Sequence, residues 1–92
     1  MTSGATGRKP VLDFPCEFPV KVFGESTQAF EPAVLEIFRR HVPGLDESRI
    51  RRRPSRHGRY VSITVTLRAE SRCQLDDLYR ELSAQRRVLM AL

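Results

Sequence analysis

The chain has 92 residues, of which 40% are hydrophobic and 29% charged, and its formal net charge is +5 at pH 7. It lacks both the roughly 20-residue apolar run of a membrane helix and the apolar N-terminal segment of a secretory signal. We therefore expect one small cytoplasmic domain. Two cysteines are too few for a disulfide framework or a metal site. Basic residues exceed acidic ones, and 14 of the 16 basic residues are arginines. This excess of positive charge is compatible with an anionic partner and equally with a charged, solvated surface.

The first half of the chain starts with a polar segment. Residues 1–11 show no hydrophobic periodicity and are predicted to form a disordered tail, with a single domain over residues 12–92. Alternating apolar residues predict a strand over Glu17–Phe23, where Pro19 cannot donate a ladder hydrogen bond. Apolar residues at helical spacing then predict a helix from about Ala29 to His41.

The second half contains the clearest pattern in the sequence. Apolar and polar residues alternate strictly over Tyr60–Arg68, which predicts a strand with one face on a core. The arginine-rich stretch Arg49–Pro54 predicts an edge strand that forms a hairpin with it. A capping box at residues 71–74 predicts a second helix that ends near residue 84. Val88–Leu92 predicts a short last strand, and the pattern does not decide which of its faces is buried.

The predicted element order is βαββαβ. Because crossover connections are right-handed and the hairpin makes the second and third strands neighbours, the simplest α+β fold is a ferredoxin-like two-layer sandwich. Its antiparallel sheet would have the strand order 4-1-3-2, with both helices on one face. The other face of the sheet would be left uncovered.

The uncovered face is predicted to be an anion-binding or partner-binding surface. Its candidate residues are Lys21, Arg49, Arg51, Arg53 and Tyr60. The third strand offers Ser62, Thr64 and Thr66 where an RNA-recognition module would carry stacking aromatics, which argues against sequence-specific RNA binding. Non-specific contact with nucleic acid stays open. So does a purely protective role, since charges on an edge strand prevent edge-to-edge aggregation.

The residues that could support catalysis show no telling spacing. His41 is expected at a helix end and His57 in a turn, and neither has a nucleophile or a carboxylate at a diagnostic distance in sequence. Cys73 would lie in the first turn of a helix, where a thiol pKa can fall, although a buried, inert cysteine is the favoured interpretation. Cys16 is expected to pack at the mouth of the sheet. We predict that the chain is not an enzyme and that it holds no cofactor or metal.

Three ungapped blocks resemble the YbeD-like family of small, uncharacterised bacterial proteins. The blocks are Phe14–Val22; Arg53–Ser55 with Gly58, Tyr60, Ser62 and Thr64–Thr66; and Ser71, Arg72, Gln74–Asp76 and Leu78–Arg80. The resemblance covers about residues 12–92. It implies a ferredoxin-like fold similar to ACT-type regulatory domains, which bind amino acids or other small metabolites, often at dimer interfaces, and a link to lipoate metabolism.

By that resemblance, a ligand loop would follow the first strand. The matching positions are Gly24, Glu25, Ser26 and Thr27, which the local pattern also explains as a strand end followed by helix-capping residues. The first hypothesis is thus a non-catalytic regulatory module that binds a second copy, a protein partner or a small anionic metabolite. The alternative is a nucleic-acid-binding module that uses the basic open face.

Overall fold

The computed structural model describes residues 12–92, so the predicted disordered tail lies outside the described residues. Four strands and two helices alternate in the predicted order. They are β1 (Cys16–Glu25), α1 (Phe30–His41), β2 (Ile50–Pro54), β3 (Tyr60–Ala69), α2 (Arg72–Ala84) and β4 (Val88–Ala91), with a 3₁₀ turn at Glu47–Arg49 before β2.

The four strands form one antiparallel sheet in the order β2-β3-β1-β4. This is the predicted ferredoxin-like order 4-1-3-2, read from the other edge. β1 and β3 are the central pair, and their ladder runs without a break from Cys16 opposite Ala69 to Glu25 opposite Tyr60. β2 and β4 are the two edge strands.

Pro19 lies where its missing N–H group costs no ladder hydrogen bond. Lys21, two residues later and therefore facing the same neighbour, exchanges backbone hydrogen bonds with Leu92 beyond the end of β4. β4 pairs only with residues Val22–Gly24 of β1 and does not reach Pro19. The start of β1 thus lacks a neighbour on that side, as the proline predicts.

The hydrophobic core lies between the helices and one face of the sheet. Strand alternation supplies half of it, because every second side chain of β1 and β3 points toward the helices. The helices supply the rest from their apolar stripes. The buried residues of the core are Val20, Val22, Phe30, Val34, Leu35, Ile37, Phe38, Ile50, Ile63, Val65, Leu67, Ala69, Leu75, Leu78 and Leu82.

The capping box joins the two helices as well as starting α2. The Ser71 hydroxyl accepts a hydrogen bond from the backbone N–H of Gln74 at 3.1 Å. The Gln74 side chain accepts from the N–H of Glu70 and donates to the carbonyl of His41, at 2.7 and 2.9 Å. The last carbonyls of α1 need such partners, so one side chain satisfies groups at both helix ends.

Three local predictions were wrong. α1 begins at Phe30 after Ala29 with no side-chain cap, so Ser26 and Thr27 do not cap it. β2 begins at Ile50, because Arg49 belongs to the preceding 3₁₀ turn. Cys73 is exposed, since it lies on the side of α2 opposite the buried stripe of Leu75, Leu78 and Leu82.

The structure decides the orientation of the last strand. Met90 is opposite Phe23 and Ala91 is opposite Val22, with an irregularity in the ladder between Phe23 and Gly24. Val22 is buried against the helices, so Ala91 faces the core and Met90 faces the uncovered side.

Candidate functional site

The uncovered side of the sheet, called the open face below, is organised in two rows that cross all four strands. In one row Arg51 is opposite Thr64, Thr64 is opposite Lys21, and Lys21 bonds to Leu92. In the other row the order is Arg53, Ser62, Phe23 and Met90. Each row therefore runs from an arginine on β2, past a hydroxyl group, to an aliphatic side chain on or just after β4.

The apolar end of the open face is well exposed. Met90 and Leu92 keep 53 and 60% of their surface accessible to solvent. Together with the half-buried ring of Phe23 they form an apolar strip along β4. A cluster of large exposed apolar side chains of this kind marks an interaction surface more often than scattered ones do.

The cationic end differs from the rest of β2 in its ion pairing. Arg52, which points to the helix side, binds Glu31 at 2.7 Å and Glu47 at 2.6 Å. Arg51 and Arg53 point to the open face, and no salt bridge to either is found among residues 12–92. Residues 1–11 contain no aspartate or glutamate. The open face therefore holds cations that this chain's carboxylate side chains leave uncompensated.

The pairing of Arg52 changes the acidity of its partner. Hydrogen bonds from the Arg52 guanidinium hold the pKa of Glu31 below its ordinary value of 4.5, although partial burial acts in the opposite direction. The hydrogen bonds that Arg52 donates, to Glu31 first and then to Glu47, raise the pKa of Arg52. This cluster fixes the start of α1 and the 3₁₀ turn to β2, which is a structural role.

Two cations on the open face or at its end lie over aromatic rings. The ammonium group of Lys21 is 5.9 Å from the ring centroid of Phe23, and the guanidinium of Arg59 is 5.6 Å from that of Tyr60. Both distances are within the range of a cation–π contact. These contacts orient the cations without neutralising their charge.

The two rows enclose neighbouring open depressions of about 300 and 400 Å³. Both are lined by Lys21, Arg53 and Ser62, the first also by Phe23 and Tyr60, and the second also by Arg51 and Thr64. Four of the five predicted open-face residues thus come together. The fifth, Arg49, lies on the same face but binds Glu17 of β1, so its charge is compensated.

The predicted ligand loop serves the fold at several of its positions. A Cβ atom at Gly24 would come within 2.1 Å of the Phe30 ring, so this glycine makes room for a core side chain. The N–H of Ser26 donates to the carbonyl of Arg59, and that of Thr27 donates to the carbonyl of Glu25.

Glu25 and Thr27 also line a depression of about 320 Å³ beside the C-terminal segment. The other lining residues are Arg86, Arg87 and Leu89. A ligand role for the loop stays a prediction that this geometry permits.

The residues that could support catalysis lie on different elements of the fold. His41 is held by Glu81, with 2.6 Å between Nε2 and Oε1, and His57 is exposed in the β2–β3 turn. The Cys73 thiol is 3.9 Å from a carboxylate oxygen of Asp77. Among residues 12–92 no three histidine, cysteine or acidic side chains form a group that could hold a metal ion.

Two features of the site were not predicted from the sequence. The first is the separation of Val88 from Met90 and Leu92. These three residues alternate in sequence, yet the ladder irregularity places Val88 opposite Gly24, on the core side, while Met90 and Leu92 face the open side. The second is the division of the β2 arginines into paired and unpaired ones. Strand parity alone placed Arg52 opposite to Arg51 and Arg53, but the partners of Arg52 come from α1 and the 3₁₀ turn, which only the folded chain brings together.

Similarity to known proteins extends over nearly the whole chain. The family described as "Protein of unknown function (DUF493)" matches residues 9–92. The chain belongs to this DUF493 family. UPF0250 protein NE1487 of Nitrosomonas europaea is 42% identical over 82 residues, covering 89% of this chain and 94% of the relative. A UPF0250 protein of Janthinobacterium sp. is 46% identical over 74 residues, covering 80 and 81%. The resemblance to the YbeD-like family is thereby confirmed.

One solved structure supports the fold. The solution structure of protein HP0495 from H. pylori superposes with a TM-score of 0.69 and covers 97% of this chain and 93% of that chain, at 15% sequence identity. At this level of identity the match shows the ferredoxin-like fold alone. Within the described part of the chain, neither helix has the length and apolar character needed to cross a membrane.

Proposed function

We propose that this DUF493 protein is a non-catalytic regulatory module of the cytoplasm that acts by docking on a protein partner through its open face. The observation that supports this most is the combination, on one uncovered sheet face, of uncompensated cations and an exposed apolar strip. Interfaces between proteins join an apolar part, which supplies affinity, to charged groups, which supply orientation and specificity. A face that only needed to stay in water would not require the apolar strip.

The ACT-like character implied by the family resemblance is part of the same proposal. A regulatory domain of this kind changes the state of a partner by binding it, which needs a surface and no catalytic group. His41, His57 and Cys73 lie on three different elements, the end of α1, the β2–β3 turn and α2, which supports a non-catalytic role.

Site-specific photocrosslinking in living cells tests the docking function. A benzoylphenylalanine placed at Tyr60, on the open face, is expected to give a discrete crosslinked protein product that resists nuclease treatment. The matched control places it at Glu36, an exposed position on α1, and is expected to give none. Crosslinking from Glu36 but not from Tyr60, or from neither, would contradict the proposal.

A nucleic-acid-binding module is the second candidate function. The specific observation in its favour is that Lys21, Arg51 and Arg53 lie uncompensated near the rings of Phe23 and Tyr60, because cations bind phosphates and rings can stack on bases. Ser62 and Thr64 occupy the centre of the face, where stacking rings would be most effective. In the same experiment, a product from Tyr60 that disappears on nuclease treatment would favour this candidate over the first.

A further inference from the structure

The open face is cationic on one side and apolar on the other, and this difference limits which ligands could cover it. Arg51 and Arg53 form its cationic side on β2, and Met90 and Leu92 form its apolar side at β4. The sides are separated by three inter-strand spacings, which is about 14 Å. An α-helix with its side chains is about 10–12 Å wide, slightly less than this separation. One helix lying along the strands can therefore contact both sides when the long side chains of Arg51, Arg53 and Met90 lean inward.

The spacing of the arginines matches the spacing of carboxylates on such a helix. Arg51 and Arg53 are two residues apart on a strand, which puts them about 6.7 Å apart. Acidic residues four apart on a helix are about 6 Å apart along its axis and lie on one side. Apolar residues on the adjoining side of the same helix would then face Phe23 and Met90.

A second copy of this chain does not fit this surface. In a two-fold, face-to-face dimer, an axis across the strands sets β2 against β2 and so brings arginines together. An axis along the strands sets β2 against β4 and buries the arginines against aliphatic side chains. Neither arrangement sets a carboxylate side chain opposite Arg51 and Arg53, and burying a charge without such a partner is costly. A positively charged chain of +5 also repels its own copies.

Nucleic acid satisfies only one side of the surface. Phosphates would pair with Arg51 and Arg53, but the other side presents the side chains of Met90 and Leu92, on which bases cannot stack as they do on rings. Apolar side chains of a protein segment would bury these residues and gain from their removal from water. The observations therefore favour a peptide ligand over a polynucleotide.

We infer that the open face binds an acidic amphipathic helix of a partner protein. The carboxylates of the helix, four residues apart, pair with Arg51 and Arg53, and its apolar side covers Phe23, Met90 and Leu92. Lys21, which lies between the two sides, keeps its ammonium group toward the acidic side of the helix through its long stem. This inference rests on the proposed docking function and adds the chemistry of the partner to it. It applies to helices that carry acidic and apolar residues on adjoining sides.

A display selection tests this chemistry directly. Random peptides of about 16 residues, enough for four helical turns, are selected on the immobilised full chain. The Arg51→Ala/Arg53→Ala variant is used for counter-selection. We expect enrichment of acidic pairs four residues apart, with apolar residues on the neighbouring side. Enriched peptides without acidic pairs, peptides that also bind the double variant, or no enrichment would each overturn the inference.

A charge exchange separates pairing from a general loss of structure. The Arg51→Glu/Arg53→Glu variant should bind a selected peptide about tenfold more weakly, which corresponds to two partly exposed ion pairs. Replacing the two acidic residues of the peptide by lysines should restore binding. The matched control Arg39→Ala/Arg72→Ala, which removes two exposed charges from the helices, should bind as the unmodified chain does. Absence of rescue by the lysine peptide would overturn the inference.

A competition experiment tests the remaining candidate ligand of the open face, which is nucleic acid. A short single-stranded uridine oligonucleotide should not displace the selected peptide at equal concentration, and displacement would overturn the inference in favour of nucleic acid. The photocrosslinking result from Tyr60 distinguishes a failure of this inference from a failure of the proposed docking function. A nuclease-resistant protein product together with non-acidic selected peptides would remove the acidic helix and leave the docking function in place.

Discussion

Adjacent arginines of β2 lie on opposite sides of one strand and have opposite surroundings. Arg52 points toward the helices and is held by two carboxylates, from α1 and from the 3₁₀ turn. Arg51 and Arg53 point toward the open face, where this chain's carboxylate side chains compensate neither. The number of charged residues on a surface therefore does not by itself reveal a binding site. What distinguishes the two sides is whether the fold supplies counter-charges.

The apolar residues of the two sides differ in the same way. Phe30, the first residue of α1, is 1% exposed in the core between the helices and the sheet, while Phe23 is half-buried on the open face. We predict that Phe30→Ala lowers the free energy of unfolding by about 3–5 kcal/mol, because it removes a large side chain from a closed core. Phe23→Ala should cost about 1 kcal/mol. Urea denaturation measures both, and equal costs would show that the two faces are not distinct.

Gly24, at the end of β1, provides a second test of packing on the core side of the sheet. Gly24→Ala should cost about 1–3 kcal/mol, because the added Cβ overlaps the Phe30 ring at 2.1 Å. The cost should be smaller when Phe30 is replaced by leucine, and a double-mutant cycle of unfolding free energies measures this coupling. Without any coupling, Gly24 would not be a packing residue, and a role in a ligand loop would become the better explanation.

The fold itself could be predicted largely from the sequence. The unbroken alternation of Tyr60–Arg68 and the capping box at residues 71–74 are local signals that tertiary packing did not override. The side on which Met90 lies could not be predicted, because every residue of Val88–Leu92 is apolar and the segment shows no alternation. The irregularity in the β1–β4 ladder then separates Val88 from Met90. The exposure of Cys73 follows from helical geometry once the buried stripe of α2 is known.

The candidate site could be predicted only in outline. Strand parity placed Lys21, Arg51 and Arg53 on the open face. It also placed Arg49 there, and Arg49 does lie there, but its pairing with Glu17 depends on a contact 32 residues away in sequence. Ion pairs of this kind depend on which side chains the topology brings together, and local patterns do not record that.

The difference between paired and unpaired arginines should appear in stability. Arg52→Met should lower the free energy of unfolding by about 0.5–1 kcal/mol, since it removes two partly exposed ion pairs. Arg51→Met keeps a similar aliphatic stem and should change stability by less than about 0.5 kcal/mol. Chemical denaturation at low salt measures both. A larger loss for Arg51 than for Arg52 would contradict the distinction.

A smaller effect should appear in the pH dependence of stability. The pKa of Glu31 is lower in the folded chain than its ordinary value of 4.5. The stabilisation that it gives is therefore present above that value and is lost as pH falls through the folded pKa. The Glu31 side chain is 40% exposed, so the contribution is small. Denaturation midpoints between about pH 5 and pH 3 should fall less steeply for Arg52→Met than for the unmodified chain, and identical slopes would contradict the assignment.

The most direct measurement compares two double variants of the same segment, each of which removes two arginines. Arg49→Ala/Arg52→Ala removes the paired arginines, and Arg51→Ala/Arg53→Ala removes the unpaired ones. Unfolding free energy and photocrosslinking from Tyr60 are measured for both. We predict that the first variant loses stability and keeps the crosslinked protein product, while the second keeps stability and loses the product. If the two variants behave alike in both measurements, the open face is not a binding surface that the fold leaves uncompensated.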